Sequence, residues 1–312
     1  MPPTLTGLPA LDNRRVKTST EDVLVDRVVP GDILVIAFGF VSWDQRPDFD
    51  FYGRLKKLEQ ASGRHINKVL VRDSGNAWYQ RTISGLGAHP DETAAGLRAL
   101  IDAIQPSKVI TIGQSMGGYA ALMYGLLLQA QQVIAFGPLS FLDPQQALLY
   151  HDRRWLAVMR ALAADPPVSG YDDLQALGLA TARAPGGVLP ETHLVFGTKP
   201  EQGAKESVNL DAMHAQRLAV IGNCTLHPYP YSGHAVVQHL IDTKRINALL
   251  ARLIMDLAIP EEALEVSAGW HAWIAENLRL GSAPGELVEI LQHHGFSRAS
   301  SIAAVNVSPA AG

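Results

Sequence analysis

Cysteine is nearly absent from this chain: of 312 residues, Cys224 is the single one. One thiol excludes an intramolecular disulfide and any multi-cysteine zinc site, and it fits a reducing compartment. An excess of charge of one sign is also lacking. The 26 Lys and Arg stand against 30 Asp and Glu, a formal net charge of −4, so no general electrostatic pull toward nucleic acid or an anionic membrane is expected. Long hydrophobic runs are missing, since the longest nearly apolar stretch, Tyr119 to Leu128, is too short to cross a bilayer. The segment Met1 to Lys17 lacks the basic-then-apolar order of a signal peptide. No G-x-G-x-x-G or Walker-type loop follows an apolar run, and no histidine has H-E-x-x-H spacing, so neither a cofactor nor a metal is expected. What remains is ample apolar material, 47% of residues, enough to fill a sizeable core in one large α/β domain or two small ones. The expectation is a soluble, cytoplasmic, globular protein.

Short apolar runs, mostly β-branched, occur at Ile33–Phe38, Lys68–Val71, Lys108–Ile112 and Gln132–Phe136, with weaker ones at His193–Phe196 and Cys224–Leu226. They lack polar alternation, which predicts strands buried on both faces of a parallel sheet. Helical periodicity lies between them: Leu97, Leu100, Ile101 and Ile104 repeat at i, i+3, i+4, i+7, with Pro90 near the start and Pro106 past the end. Two more amphipathic helices are read around Leu210–Leu218 and Ile246–Leu253. Strand–helix alternation with short loops implies right-handed crossovers and helices on both sheet faces. Thr18 to Val29 is expected to form an antiparallel strand pair at one edge. Residues 1–256 form the predicted core, interrupted at 144–190 by an insertion of the size of an active-site lid. Residues 257–296 add two helices, the second opened by Ser282 as N-cap and closed by Gly295, and 297–312 read as a flexible tail.

Chemistry enters at Gly113-Gln114-Ser115-Met116-Gly117-Gly118. The motif directly follows one buried strand and opens an apolar helix, the placement a nucleophile elbow requires. So tight a turn leaves no room for side chains two positions either side of the serine, which accounts for Gly113 and Gly117. The hydroxyl of Ser115 then projects above the sheet. The Met116 N–H lies at the helix N-terminus, where an oxyanion is stabilised.

With that motif in that place, the sequence resembles the α/β-hydrolase superfamily over about residues 20–256, in the manner of serine esterases and thioesterases of an uncharacterised bacterial branch. The resemblance implies the chain order Ser, acid, His, with the histidine in a loop after the last core strand. Tyr231-Ser232-Gly233-His234 occupies that place, and an imidazole can take a hydroxyl proton near neutral pH and return it to a leaving group. The acid should follow the strand before last, where Asp211 ranks first and Glu201 second; Asp143, after an earlier strand, is a third choice. The second oxyanion donor should come from the loop after Ile33–Phe38, where Phe38-Gly39-Phe40 replaces the family's His-Gly and the Phe40 N–H is the candidate. Trp43, Asp44 and Arg46, together with Arg72 to Tyr79, are candidate pocket walls that suit a polar, partly flat substrate.

The function expected from these residues is hydrolysis of an ester or thioester of a small polar or acylated metabolite through an acyl-enzyme on Ser115. An acyltransferase would use the same groups with another acceptor in place of water. A hydrolase-fold protein that only binds a ligand or partner is the alternative outside catalysis. The expected partner is the small-molecule substrate, with no nucleic acid and no membrane, and the C-terminal helices offer a surface for a homo-oligomer. Three arginines of the insertion, Arg153, Arg154 and Arg160, are placed to meet an anionic substrate or to lie solvated at the surface.

Overall fold

Strands that are apolar at both odd and even positions need cover on two faces. The computed structural model, which describes residues 11–28, 31–42, 46–164, 171–199, 209–259 and 264–307, supplies that cover for the inner strands, whereas the run at Cys224–Leu226 lies in an edge strand with Thr225 and Leu226 exposed. Helix α1 (Asn13–Thr18) leads into β1 (Val23–Asp26) and β2 (Ile33–Phe38), followed by α2 (Tyr52–Ser62), β3 (Ile66–Val71) and α3 (Pro90–Ile104). Then come β4 (Lys108–Gln114), α4 (Met116–Leu128) and β5 (Gln132–Phe136). Three helices, α5 (Pro144–Leu149), α6 (Leu156–Ala164) and α7 (Leu174–Arg183), separate β5 from β6 (Glu191–Gly197). After α8 (Leu210–Ala219) and β7 (Cys224–Tyr229) the chain ends in α9 (Val236–Asp242), α10 (Ile246–Met255), α11 (Ala268–Arg279), α12 (Pro284–His293) and α13 (Arg298–Val307).

The seven strands form one sheet in the order β1-β3-β2-β4-β5-β6-β7, all parallel except β1, which runs antiparallel to β3 at the edge. Alternate residues of β2 divide between two cores. Leu34, Ile36 and Phe38 pack with α3, α4 and α8, whereas Ile33, Val35 and Ala37 pack with α2, α9 and α10. Helix α4 has no polar face, because every residue but Leu127 is buried. Such a helix is stable only when covered all round, and here it lies directly behind the turn that carries Ser115. On the other face, the buried Lys68 ammonium is held by Asp26 at 3.1 Å and Glu59 at 3.0 Å, the pairing a charge inside a sheet layer requires. A third core, Ile274, Leu287, Leu291, Phe296, Ala304 and Val305, belongs to the C-terminal helices.

Three local expectations are corrected. The edge pair over Thr18 to Val29 is one strand, β1, preceded by α1 (residue 29 lies outside the described residues). Helix α12 starts from Ala283 with Pro284 at its first position, because Ser282 instead closes α11 by donating its N–H to the Asn277 carbonyl. Of the segment read as a flexible tail, Arg298–Val307 folds as α13 (308–312 lie outside the described residues): Ser297 Oγ accepts the Ser300 N–H at 3.0 Å, and Ser301, Ala304 and Val305 repeat at helical spacing on a buried face. Among the described residues no helix is long and apolar enough to cross a membrane.

Candidate active site

At the carboxyl end of β4 the chain turns in one residue. Ser115 has φ 52° and ψ −114°, and α4 begins at Met116. A non-glycine residue held at positive φ stores about 1–3 kcal/mol of strain and marks a site the surroundings over-determine. The Ser115 N–H donates to the Phe136 carbonyl at 2.8 Å, which pins the turn to β5. A Cβ on Gly113 would sit 2.1 Å from the Gly117 carbonyl oxygen, and one on Gly117 would sit 2.2 Å from that of Phe38. Both glycines are therefore steric requirements of the elbow. Met116, as the first residue of α4, has an N–H without an acceptor inside the helix.

The loop after β7 brings His234 to this turn. Its Nε2 lies 2.9 Å from Ser115 Oγ, and its Nδ1 lies 2.9 and 3.1 Å from the two carboxylate oxygens of Asp211. Ser115 is 4% exposed and Asp211 is 2% exposed. Asp211 is the second residue of α8, whose N-cap is Asn209, accepting the Ala212 N–H at 2.8 Å. Its carboxylate is thus not needed as a cap. Asp143 does serve as a cap, for α5, through the Gln145 N–H at 2.7 Å. Glu201 lies outside the described residues. Burial pushes the Asp211 carboxyl up, but the hydrogen bond and charge of His234 and the charge of Arg154 outweigh it, so its pKa ends below the usual carboxylate range.

Arg154 belongs to the insertion and donates from Nη1 to Asp211 Oδ1 at 2.7 Å. Its Nε and Nη2 donate to Asp152 at 3.0 and 2.7 Å. Behind Asp152 stands His214, with both side chains wholly buried and Nε2 2.9 Å from the carboxylate. The Ser140 N–H donates to His214 Nδ1 at 3.0 Å, so the ring proton is on Nε2 and donates to Asp152. Burial lowers the His214 pKa even though Asp152 opposes this, and the ring is a neutral bridge. Arg154, expected at the surface or on substrate, is instead tied to the acid beside His234.

The Phe40 amide, expected to complete an oxyanion pocket, is committed elsewhere: it donates to Asp50 Oδ2 at 2.9 Å. Asp50 lies between Phe49 and Phe51, both buried, and that segment folds back against the end of β2. Burial raises the Asp50 pKa to about 7, against the pull of the Phe40 hydrogen bond and with a further push from Asp48. Next to it, the Tyr79 hydroxyl donates to the Gly39 carbonyl at 2.8 Å, which fixes the other side of the same peptide.

Of the expected pocket walls, Trp43 and Asp44 lie outside the described residues, Arg46 donates to the Thr20 carbonyl, and Arg72 donates to the Ser19 and Pro47 carbonyls. Trp78 and Tyr79 are fully buried at positive φ, and the Asp73 carboxylate holds their loop by accepting the N–H groups of Gly75, Ala77 and Tyr79. They pack rather than line a surface. The insertion meets this loop: the Trp155 and Trp78 rings lie 5.1 Å apart. A cleft of about 380 Å³ opens between Gly75, Asn76, Ala77 and Arg81 on one side and Ala157, Val158, Ala161 and Leu162 of α6 on the other. Within the insertion Met159 is buried, whereas Leu148 and Leu149 are exposed. Among the described residues no group of three or more His, Cys, Asp or Glu could hold a metal ion.

Sequence reasoning did not single out Asp50, Asp152 or His214. The one available signal was Asp50 itself, an acid set between two large aromatics; nothing in the run Asp152-Arg153-Arg154 distinguishes it from a solvated turn.

A mostly parallel sheet with this strand order and an antiparallel edge strand, a serine elbow between β4 and α4, and a histidine loop after the last strand define the α/β-hydrolase fold. No protein-family model matches the chain, and no curated protein does. Solved structures similar to it include the capsule O-acetyltransferase of Neisseria meningitidis serogroup A, at 14% identity and TM-score 0.47, covering 72% of this chain and 90% of that one. A fluorophosphonate-binding serine hydrolase of Staphylococcus aureus is similar at 17% identity and TM-score 0.47, covering 74% and 86%. Acetyl xylan esterase 1 of Thermoanaerobacterium is similar at 17% identity and TM-score 0.42, covering 68% and 73%. At this level of identity none of them carries residue roles over to this chain.

Proposed function

We propose that this protein is a serine hydrolase that cleaves an ester or thioester of a small polar or acylated metabolite through an acyl-enzyme on Ser115. One observation carries the reading: a strained serine at a strand–helix turn, hydrogen-bonded at 2.9 Å to a histidine that is itself hydrogen-bonded at 2.9 Å to a buried carboxylate. With Nδ1–H donating to Asp211, Nε2 is the acceptor for the Ser115 hydroxyl proton. Ser115 Oγ attacks the carbonyl carbon, His234 takes the proton, and the Met116 N–H at the start of α4 stabilises the oxyanion. The imidazolium then protonates the leaving alcohol or thiol, and the acyl group remains on Ser115. Water, deprotonated by His234, attacks that ester, and His234 returns the proton to Ser115 Oγ as the acid is freed. An alcohol in place of water makes the same sequence an acyl transfer.

The cleft of about 380 Å³ lies on the loop after β3, separated from β4 by β2 at the same carboxyl edge of the sheet. Its size suits a small ligand, and α6 on its rim gives the insertion the role of a lid. The free, half-buried Cys224 supports a cytoplasmic setting. The test is labelling with a fluorophosphonate probe followed by peptide mapping: adduct on Ser115, lost in Ser115→Ala, is expected. A protein that stays unlabelled while fully folded would refute the reading.

A further inference from the structure

The insertion contributes more than a cover. We infer that Arg154, reaching in from the insertion, is a positioning residue that fixes the Asp211 carboxylate and sets how strongly that carboxylate supports a protonated His234. This rests on the serine mechanism proposed above. Three observations carry it. Arg154 Nη1 touches the same carboxylate as His234 Nδ1, at 2.7 Å. The guanidinium is held in place by a two-bond fork to Asp152. Asp152 is anchored in turn by His214 and through it by Ser140, on the chain just after β5, with the Ser140, Asp152 and His214 side chains wholly buried. Ser115, His234, Asp211, Arg154, Asp152, His214 and Ser140 thus form one unbroken line of polar contacts from the elbow through the insertion and back to α8 and the chain after β5.

A rigid fork suits this place because guanidinium donors can engage two carboxylates in fixed directions, which an ammonium cannot. Among the described residues, the charges around Asp211 are His234, Arg154 and, one step further, Asp152. His214 is neutral, as its tautomer requires. The sign of the effect follows. A cation on Asp211 offsets part of the negative charge that stabilises the imidazolium. Removing it leaves Asp211 and Asp152 uncompensated, so the imidazolium is favoured and His234 holds its proton to higher pH. At the effective dielectric of about 20 that suits such sites, a unit charge on the far side of a carboxylate shifts the imidazole by at least about one pH unit. The cation therefore keeps His234 ready to accept a proton, while the fork keeps the carboxylate aimed at Nδ1.

The experiment follows the His234 imidazole by NMR titration in the full chain, wild type against Arg154→Met and Arg154→Lys, with kcat and KM for p-nitrophenyl acetate. In Arg154→Met the titration midpoint is expected at least about one pH unit above the wild type, with the acid limb of kcat/KM moved the same way and KM within twofold. Arg154→Lys, which keeps the charge and loses the fork, is expected to bring the midpoint back to within about 0.3 unit while kcat stays about 3–10-fold low. An unmoved midpoint in folded Arg154→Met would overturn the inference, since a residue that only anchors the insertion would change stability and not the titration. If Arg154→Met does not fold, Arg154→Lys decides, and a kcat equal to that of the wild type would overturn it. A midpoint that moves in a protein whose Ser115 takes no fluorophosphonate would sink the serine mechanism and leave the electrostatic coupling standing.

Discussion

Replacing Asp50 with asparagine keeps an oxygen that can accept the Phe40 N–H and removes the charge. In the wild type that acceptor is a carboxylate at 2.9 Å whose pKa is raised to about 7 by burial. It is charged above pH 7 and neutral below. A hydrogen bond to a charged group is worth about 1.5–3 kcal/mol, against about 0.5–1.5 kcal/mol for a neutral pair. The charged form therefore holds the amide more tightly by about 1–1.5 kcal/mol. An oxyanion that draws on the Phe40 amide must overcome that difference, a factor of about 5–10 in rate. Measured as kcat for p-nitrophenyl acetate from pH 5.5 to 9, the ratio of Asp50→Asn to wild type is expected to climb from near 1 to about 5–10, centred near pH 7. A flat ratio would refute the reasoning and remove the Phe40 amide from the oxyanion site.

Stability gives the same substitution a second readout. The carboxyl titrates at 3.8 when free and about 7 in the fold. Below 3.8 both states are protonated and the group costs nothing. Between the two values the unfolded chain has already released its proton, so stability falls as pH rises, and the loss is complete above 7. It amounts to at most about 4 kcal/mol, reduced by the partial exposure of the group. Urea midpoints at pH 4 and pH 8 are expected to shift in favour of Asp50→Asn at the higher pH.

Asp211→Asn should lower kcat by about 10³–10⁴ with little change in fold, because the imidazole loses the partner that sets its tautomer; steady-state kinetics with a circular dichroism control will show it. Gly117→Ala places a Cβ 2.2 Å from the Phe38 carbonyl oxygen and is expected to cost about 2–3 kcal/mol in urea unfolding, with loss of probe labelling. His214→Ala leaves Asp152 with one partner fewer in a fully buried site, and should cost about 3–5 kcal/mol by the same assay. Because burial holds the His214 pKa below its free value of 6.5, the unfolded chain binds the extra proton first. Wild-type stability should therefore decline as pH falls below about 6.5, and His214→Ala should flatten that part of the profile.

What the sequence determined by itself was whatever depends on a few consecutive residues. A run such as Ile33–Phe38, apolar at odd and even positions, short and half β-branched, reads as a strand covered on both faces, and it is. The elbow is legible for the same reason: Gly113, Ser115 and Gly117 meet one another within a single turn, and the strand and helix either side abut it. The loop of His234 was placed by its order along the chain, and Asp211 led a choice of three that no local pattern narrows to one. Only the tertiary structure set Asp211 against His234 and left Asp143 as a helix cap. It also turned Arg154 onto an acid 57 residues away, and joined Ser140 to His214 across 74. The Phe40 amide went to Asp50, only ten residues on, yet beyond the reach of any period. Periodicity and turn geometry are properties of neighbouring residues, whereas a hydrogen bond between loops is decided by where the sheet delivers the ends of its strands. In this chain the sheet delivers both halves of the proposed site, and the insertion is held to it by a guanidinium.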